Sequence, residues 1–387
     1  MTAITKAYVG ADIHNGRTLL QGHALILNAN GDLRVCANDE LPQDCPTMRL
    51  EGGIITPGFV DLQVNGGGGV MFNDDQSVDA LRTIAQAHAT TGTCAILPTL
   101  ITDTPARTRA AIDAVENAIA QNISGIVGIH LEGPHLSVAR KGAHDPHLIR
   151  AMTDEDLALM LYAADRLANV MVTVAPENTT NVQIKAMADA GIVVSLGHTD
   201  ADAATCHSAF DAGATCVTHL FNAMSQLGNR EPGLVGSTLA REDVYAGLIA
   251  DAIHVHPSTI RVALAAKPHS DRIFLVTDAM ATAGSEIDMF TINGREVYRK
   301  NSRLTLADGT LAGADLEMPR ALSVMVQQVG DSVENAVARA TSTPASLLRD
   351  PFGLGQTSNL STSPLYIRTP FSKPVKLNEL QSSQPAS

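Results

Sequence analysis

The apolar positions follow two rhythms, and the change between them falls near residue 53. Residues 1–50 carry short apolar stretches cut by turns. Residues 24–27 (ALIL) meet Asn30-Gly31-Asp32 and then 33–35 (LRV), a hairpin pattern whose turn residues accept positive φ. Glu51-Gly52-Gly53 ends that pattern. Beyond it, compact apolar runs alternate with stretches of helical period. The runs lie at 58–64, 93–97, 126–131, 170–174, 192–196, 215–218, 246–249 and 272–276. Short runs that are apolar on both faces suit parallel strands covered on both sides. Between them the spacing predicts helices over 78–89, 104–120, 154–167 and 182–190. Thr153 stands before Asp154-Glu155-Asp156 and Thr104 before Pro105 as N-caps, while Gly92, Gly191 and Gly213 follow helices as stops. Eight such units predict an α/β chain folded as a (β/α)8 TIM-like barrel rather than an open sheet. Residues 222–243, richer in Gly and Pro than a simple connection, are expected to form an active-site insertion.

A barrel of this kind builds its site from the loops that follow its strands, so polar groups at run ends carry weight. Run one ends in Gln63 and Asn65, run three in His130 and Glu132, and run five in His198. Run six ends in His219, run seven in Asp251 and His254, and run eight in Asp278.

Composition narrows the choice of function. Of the 387 residues, 45% are hydrophobic and 17% charged, which excludes a disordered chain. No apolar run approaches the ~18 residues of a membrane span. Net charge is −13 without any Lys/Arg run, so no nucleic-acid footprint exists. The five cysteines show no CxxC spacing and read as reduced core thiols. Trp is absent and aromatics are 3%, leaving the core to Ala, Val, Ile and Leu. The opening MTAITKAYVGADIHNG lacks the basic and apolar regions of a signal peptide, and the expected location is the cytoplasm.

Glu132, His198 and His219 come from three separate strand ends. Two imidazoles and one carboxylate, with coordination positions left open, form a catalytic divalent-metal set suited to Zn²⁺ or Fe²⁺. Asp278 follows the apolar strand 273–276; beside such a metal, its carboxylate could take a proton from water and return it to a leaving amine. Arg230, His254 and His144 are positive groups in loops of an acidic protein, suited to an anionic substrate, most simply a phosphate. Arg140 and Lys141 read as solvated surface. His256, in His254-Val255-His256, reads as structural, and His88 and His207 as ordinary helical residues. Gly66-Gly67-Gly68-Gly69 lacks the GK[ST] ending of a phosphate loop and reads as a tight loop.

These residues sit in ordered phrases: PGFVDLQVNG (57–66), HLEGPHL (130–136), KGAHDP (141–146), SLGHTDA (195–201), THLFNAM (218–224), REPGLVG (230–236), ADAIHVHP (250–257), LVTDAM (275–280) and DGTLAGA (308–314). From about residue 10 to 345 the chain resembles the N-acetylglucosamine-6-phosphate deacetylases of the amidohydrolase superfamily. The resemblance implies a metal-dependent barrel over 56–345, beside a small β-sandwich built from 1–55 and a C-terminal return over 346–387. It implies a homodimer, and hydrolysis of N-acetylglucosamine 6-phosphate to glucosamine 6-phosphate and acetate. Carried over, Glu132, His198 and His219 are metal ligands, Asp278 is the base that becomes the acid, and His144 meets the acetamido carbonyl. His254 and the backbone at Asn222-Ala223 hold the sugar phosphate, with Arg230 joining them, reaching from the neighbouring subunit. Gln63 and Asn65, placed among the substrate-binding groups, stand where many superfamily members carry His-x-His. Amides are weak ligands for transition metals, so one divalent metal per chain is expected.

The C-terminal segment departs from the family. Residues 353–387 are rich in Ser, Thr and Pro and show little alternation beyond 365–367, so the expectation is a largely disordered tail that leaves the small sandwich incomplete. Two other readings compete: deacetylation of an epimeric substrate such as N-acetylgalactosamine 6-phosphate, and an inactive sugar-phosphate binder. The latter would have lost Asp278 or a metal ligand, and all are present.

Overall fold

The computed structural model describes residues 4–357, 364–368 and 371–380. Eight parallel strands follow one another in chain order around a single sheet: β1 (Phe59–Val64), β2 (Thr93–Ile101), β3 (Ile129–Glu132), β4 (Val170–Val174), β5 (Val193–Leu196), β6 (Cys216–Val217), β7 (Tyr245–Leu248) and β8 (Ile273–Leu275). The ring closes through a parallel bridge between Val64 and Ala279. Beside it, the Asp278 N–H donates to the Gln63 carbonyl at 3.0 Å and the Asn65 N–H to the Ala279 carbonyl at 2.9 Å. The strands match the eight predicted runs because each is buried along nearly its whole length, as strands between a packed barrel interior and a helical coat must be. The second continues past its run to Ile101. Pro98 offers no N–H, and the ladder passes it through a register shift against β1.

The helical coat follows its caps. The helix Val78–Ala89 starts at Ser77, whose side chain accepts from the Ala80 N–H. Helix Pro105–Ala120 starts at Thr104 with proline in its first turn. Capping boxes Thr153/Asp156 and Thr180/Gln183 start Asp154–Arg166 and Asn181–Asp189. Residues 222–243 are not purely an insertion: a loop gives way to the barrel helix Gly233–Ala240.

Two β assemblies flank the barrel. After β8 comes an antiparallel meander that the pattern reading did not anticipate, Met289–Ile292, Arg295–Lys300, Arg303–Leu306 and Leu311–Ala314. Its first turn is Asn293-Gly294, both at positive φ, a hairpin signal present in the sequence. The second assembly joins both chain ends. A four-stranded sheet of Leu33–Ala37, His23–Asn28, Ile4–Val9 and Thr47–Arg49 faces a five-stranded one. The latter runs Val375–Lys376, Leu365–Ile367, Ile54–Thr56, Asp12–His14, Leu19–Leu20. Tyr8, Ile13, Leu25, Ile55, Tyr366 and Leu377 form their shared core.

The expectation of an incomplete sandwich is therefore corrected. Leu365–Ile367 pairs antiparallel with both Ile54–Thr56 and Val375–Lys376. The prolines do not interrupt these strands, because Pro364 and Pro374 each stand just before one, where a missing N–H costs no ladder bond. The rest of that expectation concerns residues 358–363, 369–370 and 381–387, which lie outside the described residues. Among the described residues no helix is long and apolar enough to cross a membrane.

Candidate active site

Where the barrel strands end, the backbone turns sharply. His198, His219 and Asp278 hold φ of 47°, 32° and 50°, in a left-handed region that costs a non-glycine residue roughly 1–2 kcal/mol. Such strain persists only where surrounding contacts over-determine it, and it concentrates at functional sites. The turns bring these residues together with Glu132, Asn65, His144 and His254 around a cavity of about 320 Å³.

At its floor, Glu132 Oε1 lies 3.2 Å from His198 Nε2 and 3.1 Å from His219 Nε2, and the two imidazole nitrogens are 3.0 Å apart. All three residues are at least 95% buried. His198 Nδ1 donates to the Arg140 carbonyl at 2.8 Å. Because a carbonyl only accepts, a neutral His198 would turn its Nε2 lone pair to the triangle, where a cation takes the place of the proton shared with Glu132. Ligand atoms about 2.0 Å from a tetrahedral Zn²⁺ are about 3.3 Å from one another, so the triangle fits one divalent ion with open positions on the cavity side. Burial alone would raise the Glu132 carboxyl, but hydrogen bonds from the two imidazoles and their charges hold it well below the usual carboxylate range. His219 is raised, with Glu132 outweighing burial.

Asp278 sits beside the triangle with its carboxyl raised to about 6, by burial first and by the Glu132 charge second. Two amides from β1 and its end hold it: Gln63 Nε2 donates to Oδ1 at 3.1 Å and Asn65 Nδ2 to the same oxygen at 2.7 Å. His144 stands edge-on to His198, ring centroids 4.4 Å apart. Its Nδ1 accepts from the Thr102 hydroxyl at 2.7 Å and faces the Thr102 N–H at 3.4 Å. A backbone N–H only donates, so the proton of the neutral ring is on Nε2. Burial, then His198, keeps His144 far below the usual imidazole range, and it is neutral. His254 is oriented by Asp251, whose Oδ2 takes the Nδ1 proton at 2.7 Å and whose Oδ1 takes the His254 N–H at 2.7 Å. Asn222 and Ala223 complete this side of the wall.

The structure thus brings together the site residues expected from sequence with two exceptions on the cavity wall. Gln63, expected to bind substrate, does not line the cavity and instead turns its amide to Asp278 and Glu132. Arg230 is exposed and does not line the cavity of its own chain. His130 also stays out: its Nε2 bonds Thr173 Oγ1 at 2.7 Å inside the barrel. His256 caps the helix Pro257–Ala266 through the Ser258 N–H, as a structural histidine does. Arg140, read as surface, keeps a part-exposed side chain but has a second role. It lines the cavity, paired with Asp200 at 2.7 Å, while its carbonyl orients His198. Sequence reasoning missed Thr102, whose position just past a strand end was a usable signal. It also missed Thr310, Leu311 and Gly313 of the meander, which line the cavity from a segment read as barrel.

The family model described as "Amidohydrolase family" matches residues 54–353, a span holding every residue of this site. The chain belongs to the amidohydrolase family. Among curated amidohydrolase relatives, an N-acetylgalactosamine-6-phosphate deacetylase of Shewanella sp. (strain ANA-3) is 43% identical over 82% of this chain and 80% of its own. An N-acetylglucosamine-6-phosphate deacetylase of Haemophilus influenzae is 34% identical over 94% of this chain and 95% of its own. The crystal structure of an N-acetylglucosamine-6-phosphate deacetylase from Pasteurella multocida superposes with a TM-score of 0.87 at 34% identity, covering 95% of this chain and 96% of that one.

Proposed function

We propose that this amidohydrolase hydrolyses the acetamide of N-acetyl-D-glucosamine 6-phosphate, releasing acetate and D-glucosamine 6-phosphate. The observation that carries the reading is the buried Glu132–His198–His219 triangle with Asp278 beside it in one cavity, in a chain whose relatives bear that name. Glu132, His198 and His219 would hold one divalent ion, Zn²⁺ before Fe²⁺ given two imidazoles and one carboxylate. When bound, that ion supplies Lewis acidity toward the amide carbonyl and makes water acidic enough to deprotonate near neutral pH.

The chain's own groups do the rest. Asp278 accepts the proton of the attacking water and delivers it to the sugar nitrogen as the C–N bond breaks, since an unprotonated amide anion cannot leave. His144 donates its Nε2 proton in a hydrogen bond to the carbonyl oxygen as charge develops there, a neutral donor fixed in advance by Thr102. The phosphate lies against His254 and the backbone of Asn222-Ala223. Arg230, exposed on its own subunit, completes the clamp from the second copy of a homodimer. All five cysteines are free, which supports a reducing, cytoplasmic setting.

A second reading, hydrolysis of the galactosamine epimer, is favoured by the name of the 43% identical relative. The test is kcat/KM for both epimers on one preparation, with metal content measured. The expected result is faster turnover of the glucosamine compound at about one ion per chain, lost on chelation and restored by Zn²⁺. Faster turnover of the epimer installs the second reading. No acetate from either, with metal bound, overturns both.

A further inference from the structure

Asp278 has two carboxylate oxygens in unequal surroundings. Oδ1 receives both amide donors, Gln63 Nε2 at 3.1 Å and Asn65 Nδ2 at 2.7 Å, whereas Oδ2 has no hydrogen-bond partner among the described residues. Gln63 uses its NH₂ group twice: one hydrogen serves Asp278, and the other faces the Glu132 carboxylate, 3.4 Å from Oε1 and 3.3 Å from Oε2. A neutral double donor thus stands between two buried carboxylates that would otherwise repel. Asn65 spends its amide on one bond only. Its Oδ1 is buried and has no partner among the described residues, a cost accepted for a donor aimed at Asp278. The backbone that carries both amides is tied down, with the Asn65 N–H donating to the Ala279 carbonyl at 2.9 Å. The Asp61 carboxylate accepts the Gln63 N–H at 3.2 Å and the Thr277 N–H at 3.2 Å, and it binds the Thr277 hydroxyl as well. The Asp278 carbonyl in turn accepts the Ala314 N–H at 2.9 Å.

We propose that Gln63 and Asn65 are positioning residues that occupy Oδ1 of Asp278 with two fixed N–H donors, so that Oδ2 alone exchanges the proton with water and with the leaving nitrogen. This inference rests on the proposed deacetylation with Asp278 as its base. Two donors on one oxygen stop the carboxylate from rotating and keep the second oxygen in line with the reacting atoms, where misplacement is costly. They also favour the ionised form that a base needs.

The test is a double-mutant cycle on the metal-loaded enzyme, with Asn65→Ala, Gln63→Ala, Asp278→Asn and the doubles. Metal content and thermal midpoint are recorded for each. Asn65→Ala is expected to retain its metal and to lose roughly 10- to 100-fold in kcat, with KM changed by no more than about 3-fold. In the Asp278→Asn background the same substitution is expected to cost less than about 2-fold, because a residue acting through Asp278 has nothing left to act on. A second readout is the acid limb of kcat/KM, which should move up by about one pH unit. Glu132 from β3, His219 after β6, His254 after β7 and Asp61 in β1 all face Asp278 and are unchanged, so the shift reports the lost donor. Gln63→Ala repeats the comparison should Asn65→Ala not fold.

An equal loss in both backgrounds, or none in either, overturns the clamp while leaving Asp278 as base. Full turnover by Asp278→Asn, or no turnover by the unaltered enzyme, removes the base assignment and this inference with it.

Discussion

His144 and Asp278 face the same cavity, yet burial moves them in opposite senses. Burial disfavours the charged form of each group, which takes the imidazole far down and the carboxyl up to about 6. The pair is therefore suited to different tasks at neutral pH, a neutral hydrogen-bond donor and a carboxylate base of unusual strength. The sign of the pH dependence follows. Asp278 works as a base only when ionised, so activity is full above its raised pKa and is lost as pH falls through about 6; a cation in the triangle can only move that limb lower. Profiles of kcat/KM from about pH 5 to 8 should show the acid limb at or below about 6, and a limb centred near neutrality or above would contradict Asp278 as the base. Much of this was visible in the sequence because charged and amide groups at the ends of buried runs have few alternatives to a site. What was invisible was how they are held: a carbonyl of Arg140, a hydroxyl of Thr102 and a carboxylate of Asp251 act through atoms whose direction no spacing encodes.

At the level of elements, the meander of residues 289–314 joins the site through its last strand. Ala314 donates to the Asp278 carbonyl and bridges to Ala279, and Thr310, Leu311 and Gly313 line the cavity. Gly313 is required there: its φ is +62°, and a Cβ would meet Met280 and lie 2.9 Å from the Asp278 carbonyl oxygen. Gly313→Ala is expected to destabilise by about 1–2 kcal/mol through backbone strain. It should also cost more activity than stability, because the displacement falls on Asp278. Thermal midpoint and kcat measured together test this; a lowered midpoint with unchanged kcat would mean that the strand only braces the barrel. The barrel elements were legible and this one was not, for a physical reason. Barrel strands are buried on both faces and read as continuous apolar runs, whereas REVYRK (Arg295–Lys300) has one core position, Val297, among solvated charges. Only the Asn293-Gly294 turn announced it.

Over the whole molecule, the two chain ends meet in one sheet, and the sequence hid this because pairing partners 309 to 313 residues apart leave no local trace. Short strands framed by proline looked like a loose tail; burial shows otherwise. Ile367 is fully buried and pairs with Ile54, Tyr366 donates its hydroxyl to the Gly52 carbonyl at 3.0 Å, and the Tyr8 hydroxyl donates to the Leu377 carbonyl at 3.2 Å. This sheet hands the chain directly to the barrel, since Ile54–Thr56 is followed after Pro57-Gly58 by β1. It does so at the start of β1, however, while Gln63 and Asn65 lie at the other end of that strand. Ile367→Ala should therefore act on stability alone. Removing three buried carbons from a packed sheet is expected to cost about 2–5 kcal/mol, read as a lower urea midpoint at unchanged slope. Metal content and kcat per folded molecule should stay within about 2-fold, because no site residue touches the altered position. A loss of kcat without a loss of stability would mean instead that the terminal sheet sets the position of β1 along its whole length, and with it the amides that hold Asp278.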